Sequence, residues 1–234
     1  MTKTQSKNLA ELEEQSGLNF DDKDLLRLAF IHKSFVNEHE NETKCNERLE
    51  FLGDAVLELV VTDFLFKVYP KEPEGALTNW RSALVKGRNL AKVAQQLQLG
   101  DYLLLSRGED LSGGREKDYI LANTTEAFIG AIYLDKGYND ASKFIKDHII
   151  VLLEEIISQG LHIDAKSRVQ ELAQEKFSCT PRYEMLEDSG PDHDKVFVMG
   201  IYFGKNLVGK GGGPSKQEAE QAAAHEALKA HNWV

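Results

Sequence analysis

The sequence predicts two domains in series, an all-α N-terminal domain and a smaller α+β domain of order α-β-β-β-α. From Leu9 to about Gln159 nearly every segment repeats its apolar residues at helical spacing. Past Gly160 the period changes. Pro181–Leu186 and Lys195–Phe203 then read as strands, the second alternating around Val196, Val198, Ile201 and Phe203. The 234 residues suffice for two modest domains with real cores. The boundary is expected at Gly160–Asp164, giving domains of residues 1–160 and 161–234.

In chain order, Asp21 or Asp22 caps a helix over Lys23–Phe30. A long apolar helix runs from Asn46 through Phe66, and Pro70 and Pro73 punctuate the chain after it. Leu77, Trp80, Leu84 and Val85 keep helical spacing into Leu90–Leu97. Leu103–Lys117 reads as irregular, with Ser112–Arg115 as a mobile loop. Ile120–Leu134 and Ala141–Ile157 return to the helical period. In the second domain Ala165–Phe177 is an amphipathic helix. Lys205–Val208 is a third short strand after a turn at Gly204, and Pro214–His231 is a helix with proline in its first turn.

Composition narrows the function. No apolar run approaches a membrane span, and the N-terminus lacks the apolar core of a signal peptide. Cys45 and Cys179 lie far apart without metal-ligand spacing, which predicts free thiols in a reducing, cytoplasmic protein. Net charge is −10, yet residues 161–234 carry 9 basic and 11 acidic side chains, so the acidity is concentrated in the first domain. Such a chain binds phosphates only through a local basic patch. None of the 7 histidines has ligand spacing with another, and no Ser-His-Asp or Cys-His set is evident.

The densest signal is Asn46–Glu58 (NERLEFLGDAVLE). At about 100° per residue, Glu47, Glu50 and Asp54 fall within about 60° of one another, with Glu58 continuing the stripe. Leu49, Leu52, Val56, Leu59 and Val60 cover most of what remains, so the helix should be largely buried. Crowded, buried acids are costly unless paired, and a hard divalent cation is the simplest partner. The bland alternative is a solvated acidic stripe, for which the apolar flanks leave little surface. In Ile120–Asp135, Asn123 and Glu126 share a face, and Ala127, Gly130 and Ala131 permit close approach of a neighbouring helix. Glu50 and Asp54 facing Asn123 and Glu126 would make an all-oxygen Mg²⁺ site.

The Asn46–Glu58 run resembles the signature of the ribonuclease III family of double-stranded-RNA endonucleases. The similarity extends through Glu74–Val85 and Ile120–Asp135, resumes in the C-terminal segment and covers essentially the whole chain. It implies an endonuclease domain followed by a double-stranded-RNA-binding domain. It makes Glu50, Asp54 and Glu126 metal-binding carboxylates, with Asp54 and Glu126 catalytic. Glu47 and Glu74 become further acids of the catalytic valley, and Phe51 a dimer-interface residue. Asn123 stands at a metal-ligand position where many members carry aspartate, so the site loses one negative charge. A natural variant, a weakened or inactive form and an engineered trap of the substrate complex all stay open. The resemblance further implies Mg²⁺, with Mn²⁺ able to substitute, and a homodimer cutting both strands to 5′-phosphate and 3′-hydroxyl ends with short 3′ overhangs. The processes implied are ribosomal and messenger RNA processing.

In the C-terminal domain the same resemblance picks out three RNA contacts. Gln170 and Glu171 on the first helix would meet 2′-hydroxyls, and Pro191 and His193 would sit in the loop between strands. Gly209–Gln221 would form a glycine-rich entry to the last helix, where Lys210, Ser215 and Lys216 face phosphates. Family members usually have a second lysine where this chain has Gln217, a loss that Lys210 would partly offset. The leading expectation is therefore a Mg²⁺-dependent nuclease of double-stranded RNA. A catalytically silent double-stranded-RNA-binding dimer is the alternative that Asn123 motivates, and a purely structural helical dimer leaves the second domain unexplained.

Overall fold

A computed structural model describes residues 8–39, 41–158, 160, 164–191 and 195–233. The chain divides into two compact units, residues 1–159 and 160–234. The first is helical throughout. It runs α1 (Leu9–Ser16), α2 (Lys23–Ala29), α3 (Lys33–Glu38), α4 (Glu47–Val68), α5 (Glu74–Leu84) and α6 (Gly87–Gln96). It continues with α7 (Arg107–Leu111), α8 (Asp118–Lys136), α9 (Tyr138–His148) and α10 (Leu153–Ser158).

Helix α8 is the hub, packing against α4, α6, α9 and α2. Its sequence is apolar on nearly every side, and it is buried accordingly. Phe128 lies against Phe20 at 5.9 Å, Phe30 at 5.8 Å and, edge-on, Phe144 at 5.4 Å. The buried Thr124 and Thr125 hydroxyls donate to the Ile120 and Leu121 carbonyls at 2.7 and 3.0 Å, which satisfies them without solvent. At the far end the Asp135 carboxylate accepts from the Asp21 and Asp22 backbone N–H groups at 2.9 and 2.8 Å. Asp22 in turn caps α2.

Several sequence expectations are corrected. The run Leu77–Leu97 breaks between α5 and α6, where the buried Asn89 amide donates to the Ala83 carbonyl at 2.7 Å. Ala141–Ile157 breaks at Ile149 into a tight turn over Ile150–Leu152, which lets Ile149, Ile150 and Leu153 all reach the core. Ser112–Arg115, expected to be a mobile loop, is pinned. Arg115 donates from Nε to Asp110 at 2.7 Å and from Nη1 to the Gly100 carbonyl at 2.9 Å, and Lys117 pairs with Glu109 at 2.6 Å. The long helix is not buried all round. On α4, Phe51, Leu59 and Phe66 are 80, 57 and 72% exposed and share the stripe turned away from the core.

The second unit runs α11 (Ala165–Phe177), β1 (Arg182–Ser189), β2 (Val196–Phe203), β3 (Asn206–Gly213) and α12 (Lys216–Ala230). The strands form an antiparallel sheet in the order β1-β2-β3. Helix α12 lies across β2 and β3, and α11 packs on α12. The core between them gathers Val169, Ala173, Met199, Ile201, Ala223 and Ala227. The third strand is longer than expected and absorbs the glycine-rich segment. Glycines 209, 211 and 213 alternate toward α12, and a Cβ on Gly213 would lie 2.8 Å from the Ala219 nitrogen. These glycines seat the helix on the sheet. Pro214 precedes α12, whose cap is Ser215.

Candidate active site and RNA-binding face

Helices α4 and α8 cross backbone to backbone at two glycines. A Cβ on Gly53 would fall on the Glu126 carbonyl and 2.9 Å from the Gly130 nitrogen, and one on Gly130 would press into the Leu49 carbonyl. Glu50 and Asp54 flank Gly53, while Glu126 and Asn123 lie one and two turns before Gly130. The crossing that removes two side chains is therefore the one that brings these four polar side chains together.

Their electrostatics record the crowding. Burial, reinforced by Asp54 and Glu50, pushes the Glu126 carboxyl up to about 7. Burial also raises Glu50, with Glu47 and Asp54 adding to it and a hydrogen bond from the Asn123 amide opposing them. Among the described residues none of Glu50, Asp54 and Glu126 is in an ion pair with lysine or arginine, although Glu47 and Glu58 are. Among the described residues no three His, Cys, Asp or Glu side chains are close enough together to hold a metal ion as they stand. What the site presents is three carboxylates and an amide oxygen without a counter-charge. That donor set fits a hard, oxygen-ligated divalent cation.

The other acids are placed differently. Glu58, expected to continue the stripe, pairs with Arg81 at 3.0 Å, and Arg81 also donates to Thr62 at 3.0 Å, so this acid belongs to the α4–α5 contact. Glu47 pairs with Lys33 at 3.0 Å. Glu74 opens α5, exposed, and accepts from the Thr78 hydroxyl at 2.8 Å. Beside the cluster lies a cleft of about 300 Å³ between α3, α4 and α8, lined by Lys33, Asn37, Glu47, Glu50, Tyr119 and Asn123 among others. Phe51 projects into solvent from the opposite side of α4 from the core.

In the second unit, Gln170 and Glu171 are exposed on α11, and Pro191 is exposed after β1. His193 lies outside the described residues. Two contacts tie the start of α11 to the second turn of α12, Lys166 to Glu220 at 2.5 Å and Gln221 to Asp164 at 2.9 Å. Lys216 is exposed at the start of α12, with its ammonium 5.9 Å from the Phe197 ring centre. Ser215 is occupied as a cap, accepting from Glu218 N at 3.2 Å and donating to its carboxylate at 3.1 Å. Lys210 does not join them. It pairs across the sheet with Gly200, and strand alternation turns it to the face away from α12.

Sequence reasoning missed three residues that build the site. Gly53 was legible as a lone glycine inside an apolar helix, a pattern that marks close backbone approach. Asn46, buried, donates to the Ala29 carbonyl at 3.2 Å and fixes where α4 begins. Lys33 gave no signal beyond being one of many lysines.

Comparison with known proteins identifies the two domains. The family description Ribonuclease-III-like matches residues 22–153, and the double-stranded RNA binding motif matches residues 165–231. Ribonuclease 3 of Borreliella burgdorferi is 44% identical over 222 residues, covering 95% of this chain and 91% of its own. Ribonuclease 3 of Natranaerobius thermophilus is 45% identical, with 95 and 96% covered. Among solved structures, the nuclease domain of ribonuclease III from Campylobacter jejuni, described as flexible in the region involved in dimer formation, superposes with a TM-score of 0.57. It is 45% identical and covers 61% of this chain and 96% of its own. The chain belongs to the ribonuclease III family of endoribonucleases and carries a double-stranded-RNA-binding domain.

Proposed function

We propose that this chain is a Mg²⁺-dependent endonuclease of double-stranded RNA, with a nuclease domain of residues 1–160 and an RNA-binding domain of residues 161–234. The observation that carries the reading is the set Glu50, Asp54 and Glu126, gathered at the α4–α8 crossing without a lysine or arginine partner among the described residues. These three carboxylates and the Asn123 amide oxygen would hold Mg²⁺, or Mn²⁺ in its place. Bound there, such a cation would supply a nucleophile near neutral pH and would offset charge on the phosphodiester. Burial and the neighbouring Asp54 and Glu50 hold the Glu126 carboxyl near 7, so it would have to lose its proton to serve as a ligand. Asn123 supplies an oxygen but no charge, which lowers cation affinity without removing a ligand.

The products are 5′-phosphate and 3′-hydroxyl ends with short 3′ overhangs. Two copies act together across the exposed stripe of Phe51, Leu59 and Phe66, because a two-fold dimer presents one site to each antiparallel strand. Gln170 and Glu171 meet 2′-hydroxyls and Lys216 meets phosphate. The free thiols of Cys45 and Cys179 suit the cytoplasm, where ribosomal and messenger RNA precursors are processed.

The direct test is a long, fully paired RNA incubated with and without Mg²⁺, beside an Asn123→Asp variant. Both proteins should cut, the variant at lower Mg²⁺ concentration. Cutting by Asn123→Asp alone would make the native chain a binding protein. Deleting residues 161–234 should weaken duplex binding and flatten its dependence on salt, since fewer phosphate contacts release fewer counterions. Equally tight binding by the truncated chain at moderate salt would refute the assignment of the second domain.

A further inference from the structure

The cleft beside the carboxylates holds a charge arrangement that cation binding does not use. Lys33, from the first turn of α3, is the one lysine or arginine among its described lining residues, and its ammonium lies 3.0 Å from Glu47. Both partners are open to solvent, with side chains 65 and 52% exposed, and an exposed pair of this kind adds little to stability. The backbone beneath Lys33 is nonetheless firmly held. The His32 N–H donates to the Leu104 carbonyl at 3.1 Å, and the Ser34 hydroxyl accepts from the Ser106 N–H at 3.0 Å while contacting the His32 ring at 2.8 Å. A fixed backbone thus presents a weakly engaged cation.

Its position has a chemical consequence. Glu47 is one turn before Glu50, roughly 5 Å along α4, and the cleft wall includes both Glu50 and Asn123. A strand whose reacting phosphate sits at the carboxylates therefore passes Lys33 within about a nucleotide. The acids of the lining, Glu47 and Glu50, repel that strand, and Lys33 is the charge that can draw it in. Tyr119, 58% exposed on α8, adds a ring surface to the cleft for a ribose.

We propose that Lys33 is a positioning residue for the RNA backbone: its ammonium leaves Glu47 and takes the phosphate of a nucleotide flanking the scissile bond. Glu47 is then the resting partner that keeps the ammonium in place between substrates. Phosphate is the stronger partner, because it offers several charged acceptor oxygens. The inference rests on the duplex-RNA reading above.

The experiment measures binding of the full chain to a fully paired RNA across a salt series, without divalent cation, for the native protein, Lys33→Ala, Lys33→Arg and Glu47→Gln. Loss of one phosphate contact lowers the slope of log affinity against log salt by about 1 for each Lys33 engaged. Lys33→Ala should show that loss, and Lys33→Arg should restore the native slope. Glu47→Gln should keep the native slope and bind at least as tightly. With Mg²⁺ present, Lys33→Ala should raise KM more than it lowers kcat. A native slope in Lys33→Ala, with only its melting temperature reduced, would make the Lys33–Glu47 pair structural and overturn the proposal. If the native chain itself fails to bind the duplex, the function reading falls first and this inference falls with it.

Discussion

Glu126→Gln should abolish Mg²⁺-dependent cleavage of duplex RNA while leaving duplex binding without divalent cation unchanged. The substitution keeps the size of the side chain and removes one of three negative charges from the cluster. Charge stabilisation by a bound cation is worth several kcal/mol, and each 1.36 kcal/mol is tenfold in rate, so a fall of about 10² to 10⁴ is expected. The same residue fixes a dependence on pH. Its carboxyl is held near 7 in the folded chain against an ordinary value of 4.5, so between those limits the folded state binds the extra proton. Stability of the cation-free protein should therefore fall as pH rises from about 5 to about 8. Glu126→Gln should flatten that slope and be the more stable of the two at the alkaline end. Thermal melts at several pH values, with and without Mg²⁺, measure this. Parallel loss of cleavage and binding in the variant would break the assignment of Glu126 to the cation.

Helical spacing alone places Glu47, Glu50 and Asp54 on one stripe and Asn123 with Glu126 on another, so much of this site is legible in the sequence. What spacing cannot give is partnership. Glu58 shares the stripe but lies where Arg81 reaches it, and Glu47 lies where Lys33 does, so charges that look equivalent in sequence separate into paired and unpaired. The glycines of the second domain show the same limit. Gly209, Gly211 and Gly213 read as a flexible approach to phosphate, yet all three are required by the close backbone of α12. A run of glycine states that something comes close without stating what. Lys210 is misplaced for a related reason, since taking the segment as a loop hides the strand alternation that turns it away. Strands, helices and the division of the chain follow from period and composition. Their ends do not, because Ile149 and Asn89 are set by tertiary contacts.

Gly53→Ala should be the most damaging single-methyl change in the chain. The added carbon would fall on the Glu126 carbonyl, a backbone atom in the middle of a buried helix, so no rotamer change can relieve it. Helices α4 and α8 must separate instead, and overpacking of this kind costs about 1–3 kcal/mol, more where backbone has to move. Activity should fall further than stability, because the crossing sets the separation between Glu50 and Asp54 on one helix and Asn123 and Glu126 on the other. Gly108→Ala provides the contrast. Its Cβ would meet open space within a helix, so cleavage should be unchanged and stability should rise by up to about 1 kcal/mol. Denaturant unfolding and a single-turnover cleavage assay on both variants separate the two effects. If Gly53→Ala unfolded and cut as the native chain does, close contact of α4 and α8 could not be what gathers the carboxylates. If it stayed folded at low temperature but cut poorly at every Mg²⁺ concentration, the geometry of the crossing, rather than stability, would be the quantity that the two glycines protect.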